Sequence, residues 1–196
     1  MSNGVDSGRR RFLTASTAVV GGVGVVASAV PFVAAWLPSA KAKAIGAPVE
    51  IDISKLEPGA QLTVKWRGKP VWIVRRSKES LDALPGLDAG LRDPTSEDDQ
   101  QPDYARNGHR SIKPEYLVLV GICTHLSCSP TYVTAKEPHT LGADWQGGVF
   151  CPCHGSLFDL AGRVYSGVPA PTNLPVPPHR YVGDTTIIVG EDQGAA

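Results

Sequence analysis

Two short segments that mix cysteine and histidine constrain this chain more than any other feature of its sequence. Residues 123–128 read CTHLSC and residues 151–156 read CPCHGS, and together they contain all four cysteines of the protein. Each segment has a cysteine and a histidine at C-x-H or C-x-x-H spacing, so two loops supply two thiolates and two imidazoles. Such a set is complete for a metal centre. The remaining cysteines, Cys128 and Cys153, lie one on each loop and could join the loops covalently.

These segments resemble the two cluster-binding loops of the Rieske iron–sulfur proteins, and the resemblance extends over most of the chain. In a Rieske centre, two histidines replace two cysteines on one iron of a 2Fe–2S cluster, which raises its reduction potential. The resemblance implies that Cys123 and Cys151 ligate the buried iron of such a cluster. It implies that His125 and His154 ligate the outer iron.

The resemblance also assigns roles to other residues of the two loops. It implies a disulfide between Cys128 and Cys153, as in the high-potential branch of the family. It implies that the Ser156 hydroxyl binds the cluster by donating a hydrogen bond to a cluster or ligand sulfur. Two positions depart from the family pattern: Phe158 replaces a common tyrosine, and Ser127 replaces the usual glycine. Because hydrogen bonds to sulfur raise the potential, we expect a lower potential than in relatives that carry the tyrosine.

A structural zinc site, in a zinc-stabilised binding module, is the alternative use of the same two cysteines and two histidines. Zinc fingers usually place the cysteine pair in one segment and the histidine pair in another, whereas both segments here mix the two residue types. A zinc site would also leave two cysteines without a role. The spacing therefore favours the iron–sulfur cluster.

The first forty residues predict an export signal and a membrane anchor rather than part of the folded domain. Residues 9–13, RRRFL, resemble a twin-arginine export signal, so residues 1–14 are interpreted as a targeting segment. The apolar stretch 15–37 would span roughly 35 Å as a helix, enough to cross a hydrocarbon core of about 30 Å. Residues 27–29, ASA, also match a cleavage site, but the length of the stretch favours an uncleaved anchor.

The position of the arginine cluster predicts a single-pass protein of the bacterial inner membrane, with its N-terminus in the cytoplasm. Its head domain, residues 49–196, would then lie in the periplasm, where a disulfide can persist. Residues 38–48 are small and polar and predict a flexible hinge. The cluster-binding subdomain is expected at about 121–172.

Hydrophobic alternation in the head domain predicts an all-β fold. Strands are predicted at residues 49–53, 62–66, 71–74, 116–120, 179–182 and 185–189. A short helix over 77–84, capped by Ser77, and a long polar loop over 85–114 complete the pattern, and the acidic run 97–99 is expected to be solvated. Together with the resemblance, this predicts a Rieske-type antiparallel β-sandwich with an inserted cluster-binding subdomain, on a single N-terminal transmembrane helix.

Charge and length restrict the function further. The chain has 19 basic and 19 acidic residues and no basic face, so nucleic acid is not an expected partner. It is too short for the mononuclear iron domain of ring-hydroxylating oxygenases. Two Rieske subunits remain, one from a quinol–cytochrome c oxidoreductase and one from arsenite oxidase. The anchor and residues 109–116, HRSIKPEY, resemble the proteobacterial ubiquinol–cytochrome c oxidoreductase.

As the iron–sulfur subunit of that translocating respiratory enzyme, the chain would transfer electrons from quinol to a c-type cytochrome. The resemblance implies that His154 is the catalytic residue, which contacts quinol in a pocket of the cytochrome b subunit. It implies that Leu126, Pro152 and Pro169 form an apolar rim that docks there. The expected partners are therefore a cytochrome b subunit, a c-type cytochrome subunit and quinol.

Overall fold

The computed structural model describes residues 4, 6–135, 140–142 and 144–192. The chain forms two compact units, Met1–Ala44 and Ile45–Ala196.

The first unit is dominated by one long helix, α1 (Ser7–Ala34). Asp6 caps it, because its carboxylate accepts hydrogen bonds from the backbone N–H groups of Gly8 and Arg9. At 1.5 Å per residue its 28 residues extend about 42 Å. Among the residues that the structure describes, this is the one helix long and apolar enough to cross a membrane. The helix begins before the predicted apolar stretch 15–37, and the three arginines of residues 9–11 are part of it.

The segment predicted as a hinge, residues 38–48, contains a short helix, α2 (Ala40–Gly46). Its sequence alternates alanine and lysine, both strong helix formers. The Ser39 hydroxyl accepts a hydrogen bond of 3.1 Å from the Ala42 N–H and starts the helix. The segment predicted as a flexible hinge therefore contains one short helix.

The described residues of the second unit form three antiparallel sheets of three strands each. The first sheet has the order β1–β9–β8, with β1 (Val49–Asp52), β8 (His179–Val182) and β9 (Thr186–Val189). The second has the order β2–β3–β4, with β2 (Gln61–Trp66), β3 (Lys69–Arg75) and β4 (Tyr116–Val120). The third has the order β5–β6–β7, with β5 (Thr131–Val133), β6 (Gly148–Cys151) and β7 (Ser156–Phe158).

The second sheet is central because its strands β3 and β4 are buried on both faces. One face, including Ile73 and Val118, packs with Ile51 and Ile187 of the first sheet. The opposite face includes Trp72, Val74, Leu117 and Leu119, and it packs with Val149, Cys151 and Phe158 of the third sheet. Successive residues of a strand point to opposite faces, so β4 is buried at all five positions. The predicted all-β fold and the buried strand at 116–120 are confirmed.

The predicted strands 62–66 and 71–74 leave four residues, 67–70, for the turn between them, but the hairpin between β2 and β3 turns on only two. Arg67 and Gly68 both have positive φ values, 49° and 77°. A two-residue turn with both φ angles positive matches the twist of antiparallel strands. Lys69 and Pro70 therefore belong to β3, where they pair with Trp66 and Lys65.

The predicted helix after β3 is confirmed, and it is longer than expected. Helix α3 spans Lys78–Leu87, and the Ser77 hydroxyl accepts a hydrogen bond of 3.3 Å from the Ser80 N–H. Two 3₁₀ turns follow, Asp88–Gly90 and Asp103–Ala105.

The long segment between α3 and β4 is packed into the domain rather than solvated as a whole. Its acidic run 97–99 is exposed, as predicted. Ser96, Ala105 and Arg110, however, are completely buried. The composition of the segment is polar, but the buried Arg110 guanidinium donates to the Ala161 and Gly162 carbonyls elsewhere in the domain, which sequence composition does not reveal.

Candidate metal centre

The first cysteine–histidine loop follows β4 and closes on itself. The Cys123 N–H donates to the Cys128 carbonyl at 2.9 Å, and the Ser127 N–H donates to the Cys123 carbonyl at 3.1 Å. Ser127 has a φ of 60°, in the left-handed region that glycine adopts most easily. The serine that departs from the family pattern therefore occupies the one left-handed position described in this loop.

The second loop is the connection of a hairpin. β6 ends at Cys151 and β7 begins at Ser156, and these two residues are directly paired. The Gly155 N–H donates to the Cys151 carbonyl at 3.0 Å, and Gly155 has a φ of 76°. The hairpin therefore exposes His154 at its tip and keeps Cys151 at its base.

Cys123 and Cys151 are free cysteines, and both are buried. They belong to the same buried cluster of the core, together with Phe158. Burial raises the pKa of the Cys123 thiol; the His125 N–H and the Ser156 hydroxyl oppose this shift, whereas the neighbouring Cys151 adds to it. Two adjacent buried thiolates repel each other, and a bound cation removes this penalty. The pair is therefore suited to binding metal.

The two histidines of the motifs lie together outside the thiol pair. The ring centroids of His125 and His154 are 4.9 Å apart, and the rings meet edge to face at 85°. His154 is exposed and His125 is half-buried. The structure thus brings the cysteines together inside the domain and the histidines together at its surface.

A disulfide joins the two loops through Cys128 and Cys153. The sulfur of Cys151 is close to it: the Sγ atoms of Cys128, Cys151 and Cys153 all lie within 4.8 Å of one another. Three clustered sulfurs can suggest a metal site, but two of these are bonded to each other and have no thiolate to offer. The usable donors are therefore the buried cysteine pair and the histidine pair.

A proline-rich loop, residues 167–172, borders the site on a third side. The Ala170 N–H donates to the buried Ser156 hydroxyl at 3.0 Å. The Thr124 hydroxyl donates to the Thr172 carbonyl at 2.7 Å. The Arg92 guanidinium donates to the Pro171 carbonyl at 3.2 Å. All three loops are therefore tied together by hydrogen bonds.

An ion pair below the second loop was missed by the sequence analysis. Arg163 and Asp159 are both buried, and their charged groups are 2.7 Å apart. The same guanidinium binds the Asp88 carboxylate at 2.7 Å and the Leu84 carbonyl at 3.0 Å. The Asp159 carboxylate also accepts the N–H of Ala161 at 2.9 Å. The i, i+4 spacing of Asp159 and Arg163 was the available signal, but spacing alone does not indicate burial.

Two further buried arginines fasten the long segment to the turn that follows the second loop. Arg76 donates to the His109 carbonyl at 2.8 Å and to the Leu160 carbonyl at 3.3 Å. Arg110 donates to the Ala161 carbonyl at 3.2 Å. Burial lowers the pKa of each guanidinium to about 10, so both remain charged near neutral pH. Backbone carbonyls supply most of their described hydrogen-bond acceptors.

Three exposed apolar side chains border the site. Leu126 is 65% exposed, which is unusual for a leucine of this domain. Pro152 and Pro169 are exposed as well. These are the three residues that the sequence predicted as a docking rim.

The donor set fits a Rieske 2Fe–2S cluster. Such a cluster needs two thiolates on one iron and two imidazoles on the other. The buried cysteine pair and the outer histidine pair, of which His154 is exposed and His125 half-buried, match this division. The chemistry of the four side chains therefore fits the cluster predicted from the motifs.

Comparison with protein families gives two matches. The family described as "Rieske [2Fe-2S] domain" matches residues 103–178. The family described as "Ubiquitinol-cytochrome C reductase Fe-S subunit TAT signal" matches residues 1–39.

Similar proteins extend over nearly the whole chain. The ubiquinol-cytochrome c reductase iron-sulfur subunit of Allochromatium vinosum is 64% identical over 195 residues, covering 100% of this chain and 94% of that protein. The subunit of the same name from Blastochloris viridis is 45% identical and covers 96% of each chain. A chain of the solved structure "Hyperthermophilic respiratory Complex III" is 26% identical, with a TM-score of 0.49, covering 88% of this chain and 98% of that one.

Proposed function

Because this chain belongs to the family of ubiquinol-cytochrome c reductase iron-sulfur subunits, we propose that it transfers electrons from quinol to a c-type cytochrome through a Rieske 2Fe–2S cluster. The subunit itself is an electron carrier, and the oxidoreductase activity belongs to the complex that contains it. These relatives argue against the arsenite oxidase subunit, which the motifs alone left open. The observation that carries the proposal is the pairing of two buried thiols with two outward imidazoles.

Four side chains hold the cluster in this proposal. Cys123 and Cys151 bind the inner iron, and His125 and His154 bind the outer iron. When bound, the cluster supplies a one-electron acceptor whose potential is raised by its histidine ligands. In this proposal the buried Ser156 hydroxyl donates a hydrogen bond to ligand sulfur and stabilises negative charge there.

The exposed imidazole of His154 is the proposed contact with quinol. Its ring nitrogen that does not face the metal can accept a hydrogen bond from the quinol hydroxyl, and it can hold that proton once the electron has left. Leu126, Pro152 and Pro169 surround this contact with exposed apolar surface. Such a surface excludes water and strengthens the hydrogen bond at its centre.

The proposed partners are a cytochrome b subunit, which supplies the quinol pocket, and a c-type cytochrome subunit. Helix α1 supports a single-pass anchor, and its three arginines favour a cytoplasmic N-terminus with the head in the periplasm. We propose that residues 1–14 form the targeting segment, residues 15–37 the anchor and residues 38–48 the hinge. A helix of only seven residues is marginal in water, and this supports a hinge that can change conformation.

The test uses the full chain purified from membranes in mild detergent. We expect the electron paramagnetic resonance spectrum of a reduced Rieske cluster, co-purifying b-type and c-type haem, and quinol-dependent reduction of cytochrome c. His154→Ala should abolish the spectrum and the turnover, because it removes a ligand and the quinol contact. His109→Ala is the matched control, since this histidine lies outside the two motifs, and it should keep both.

Two results would contradict the proposal. One is a His154→Ala variant with an unchanged cluster spectrum. The other is a partner subunit that contains molybdenum in place of b-type haem. That result would favour an arsenite oxidase subunit instead.

A further inference from the structure

The sulfur of Cys151 lies beside the disulfide that joins the two loops. Its Sγ is within 4.8 Å of the Sγ atoms of both Cys128 and Cys153. The three residues differ in exposure: Cys151 is buried, Cys128 is half-buried and Cys153 is exposed. Cys123, the other free cysteine, lies outside this group of three sulfurs. The free thiol of Cys151 is therefore placed to react with the disulfide.

We propose that Cys151 and the Cys128–Cys153 disulfide form an intramolecular exchange site that becomes active when the protein loses its cluster. The inference rests on the proposed function, because it requires Cys151 to be a cluster ligand. While iron holds its sulfur, that sulfur is not available as a nucleophile. Release of the iron leaves a thiol next to a disulfide, which are the two reactants of thiol–disulfide exchange.

The reaction needs no external oxidant or reductant. The Cys151 thiol gives up its proton to solvent, the resulting thiolate attacks the Sγ of Cys128, and the bond between Cys128 and Cys153 breaks. A new Cys128–Cys151 disulfide forms, and Cys153 leaves as a thiolate that takes up a proton. One disulfide and one thiol are present before and after the step, so no net oxidation occurs.

Exposure and chain geometry favour attack on Cys128 over attack on Cys153. Attack on Cys128 expels the exposed Cys153 sulfur, whose thiolate is stabilised by water. Attack on Cys153 would expel the half-buried Cys128 and close a small ring between residues two apart in the chain. The expected product is therefore a Cys128–Cys151 disulfide with a free thiol at the surface.

This product would act as a covalent record of cluster loss. Cys151 in a disulfide cannot ligate iron, so the cluster is not rebuilt until the exchange is reversed. The two loops remain joined, but through a ligand position. The exposed Cys153 thiol distinguishes this form from protein that still holds its cluster.

The test follows the disulfides of the purified full chain before and after cluster removal. Iron is extracted with a chelator under nitrogen, samples are quenched with acid and labelled with N-ethylmaleimide, and peptides are mapped by mass spectrometry. Before extraction, label should appear on Cys123 and Cys151. After extraction, we expect label to move from Cys151 to Cys153 and the Cys128–Cys151 peptide to become the major disulfide species. A sole Cys128–Cys153 disulfide after prolonged incubation would overturn the proposal.

Two variants separate the geometry from general scrambling. Cys123→Ser and Cys151→Ser each remove one proposed ligand, so both should lack the cluster spectrum. Exchange should occur in Cys123→Ser and be absent from Cys151→Ser. A Cys123–Cys128 disulfide in Cys151→Ser would overturn the assignment to Cys151, as would the same product ratio in the folded wild type and in concentrated urea.

The same variants distinguish failure of the exchange from failure of the proposed function. A normal cluster spectrum in Cys123→Ser or Cys151→Ser would reject the ligand assignment itself. Loss of the spectrum in both variants, with no exchange in Cys123→Ser, would reject only the exchange site.

Discussion

Replacement of Arg163 with methionine should destabilise the head domain strongly, because its guanidinium joins three parts of the chain. It binds the buried Asp159 carboxylate and the Asp88 carboxylate at 2.7 Å each. It also donates to the Leu84 and Pro94 carbonyls at 3.0 Å each. The Arg163 side chain is 1% exposed and that of Asp159 is 0% exposed, so water cannot replace the contact between these two charges.

The size of the effect follows from this burial. Removal of one partner of a buried ion pair costs about 3–5 kcal/mol, since the other charge is left uncompensated. For a domain of this size, each kcal/mol lowers the melting temperature by about 2–4 °C. Arg163→Met should therefore lower it by about 6–20 °C.

The assay is thermal melting of the full chain in detergent, followed by the visible circular dichroism of the cluster. Arg106→Met is the matched control, because its ion pairs with Asp99 and Asp103 involve carboxylates that are 95% and 97% exposed. Exposed pairs contribute little, so the control should melt within about 2 °C of the wild type. An equally small change for Arg163→Met would refute the reasoning. Asp159→Asn combined with Arg163→Met should recover part of the loss, because it removes the uncompensated charge.

Four further predictions concern the site and its surroundings. Phe158→Tyr should raise the midpoint potential by about 40 mV, the equivalent of a hydrogen bond of about 1 kcal/mol to sulfur; a redox titration that shows no rise would contradict this. Cys128→Ser should destabilise the head domain by about 3.5 kcal/mol, because it removes a disulfide that closes a loop of 25-residue separation and restricts the unfolded chain. The cluster signal should then be lost at a lower denaturant concentration than in the wild type. Ser127→Gly should raise stability by about 1 kcal/mol, because glycine adopts the left-handed backbone conformation of this position at lower cost than serine. Ser129→Gly should not raise stability, because Ser129 lies outside the left-handed region. Equal denaturation midpoints for the two variants would count against the prediction. Burial lowers the pKa of His179, and the hydrogen bond of this histidine to a backbone carbonyl opposes the shift. The unfolded chain therefore binds more protons than the folded chain below about pH 6.5, and stability falls as the pH drops. His179→Phe should reduce the fall in melting temperature between pH 7 and pH 5, and an identical fall would exclude this histidine as a cause.

Features that depend on neighbouring residues were predicted well from the sequence. The alternation of 49–53 and the apolar run 116–120 identified strands, because side chains of a strand alternate between faces. The Ser77 cap was predicted because its hydroxyl bonds a backbone N–H only three residues away. The length of the turn at 67–70 was not, since the pattern of strand residues does not specify which two adopt positive φ.

The arrangement of distant segments was decided by the tertiary structure alone. Arg76, Arg110 and Arg163 look like surface residues in the sequence, yet carbonyls from remote parts of the chain satisfy their guanidinium groups in the interior. The proximity of the Cys151 sulfur to the disulfide is likewise a consequence of folding.

The sequence by itself determined the chemistry of this protein: two thiolates, two imidazoles and two further cysteines at spacings that two loops can present. These are properties of residue type and short spacing. The family resemblance implied buried thiols and outer imidazoles, whereas only the tertiary structure decided that the rings of His125 and His154 meet edge to face and that Cys151 lies beside the disulfide. The physical reason is that burial and sulfur–sulfur distance depend on how three sheets pack, and packing joins residues that no local pattern relates.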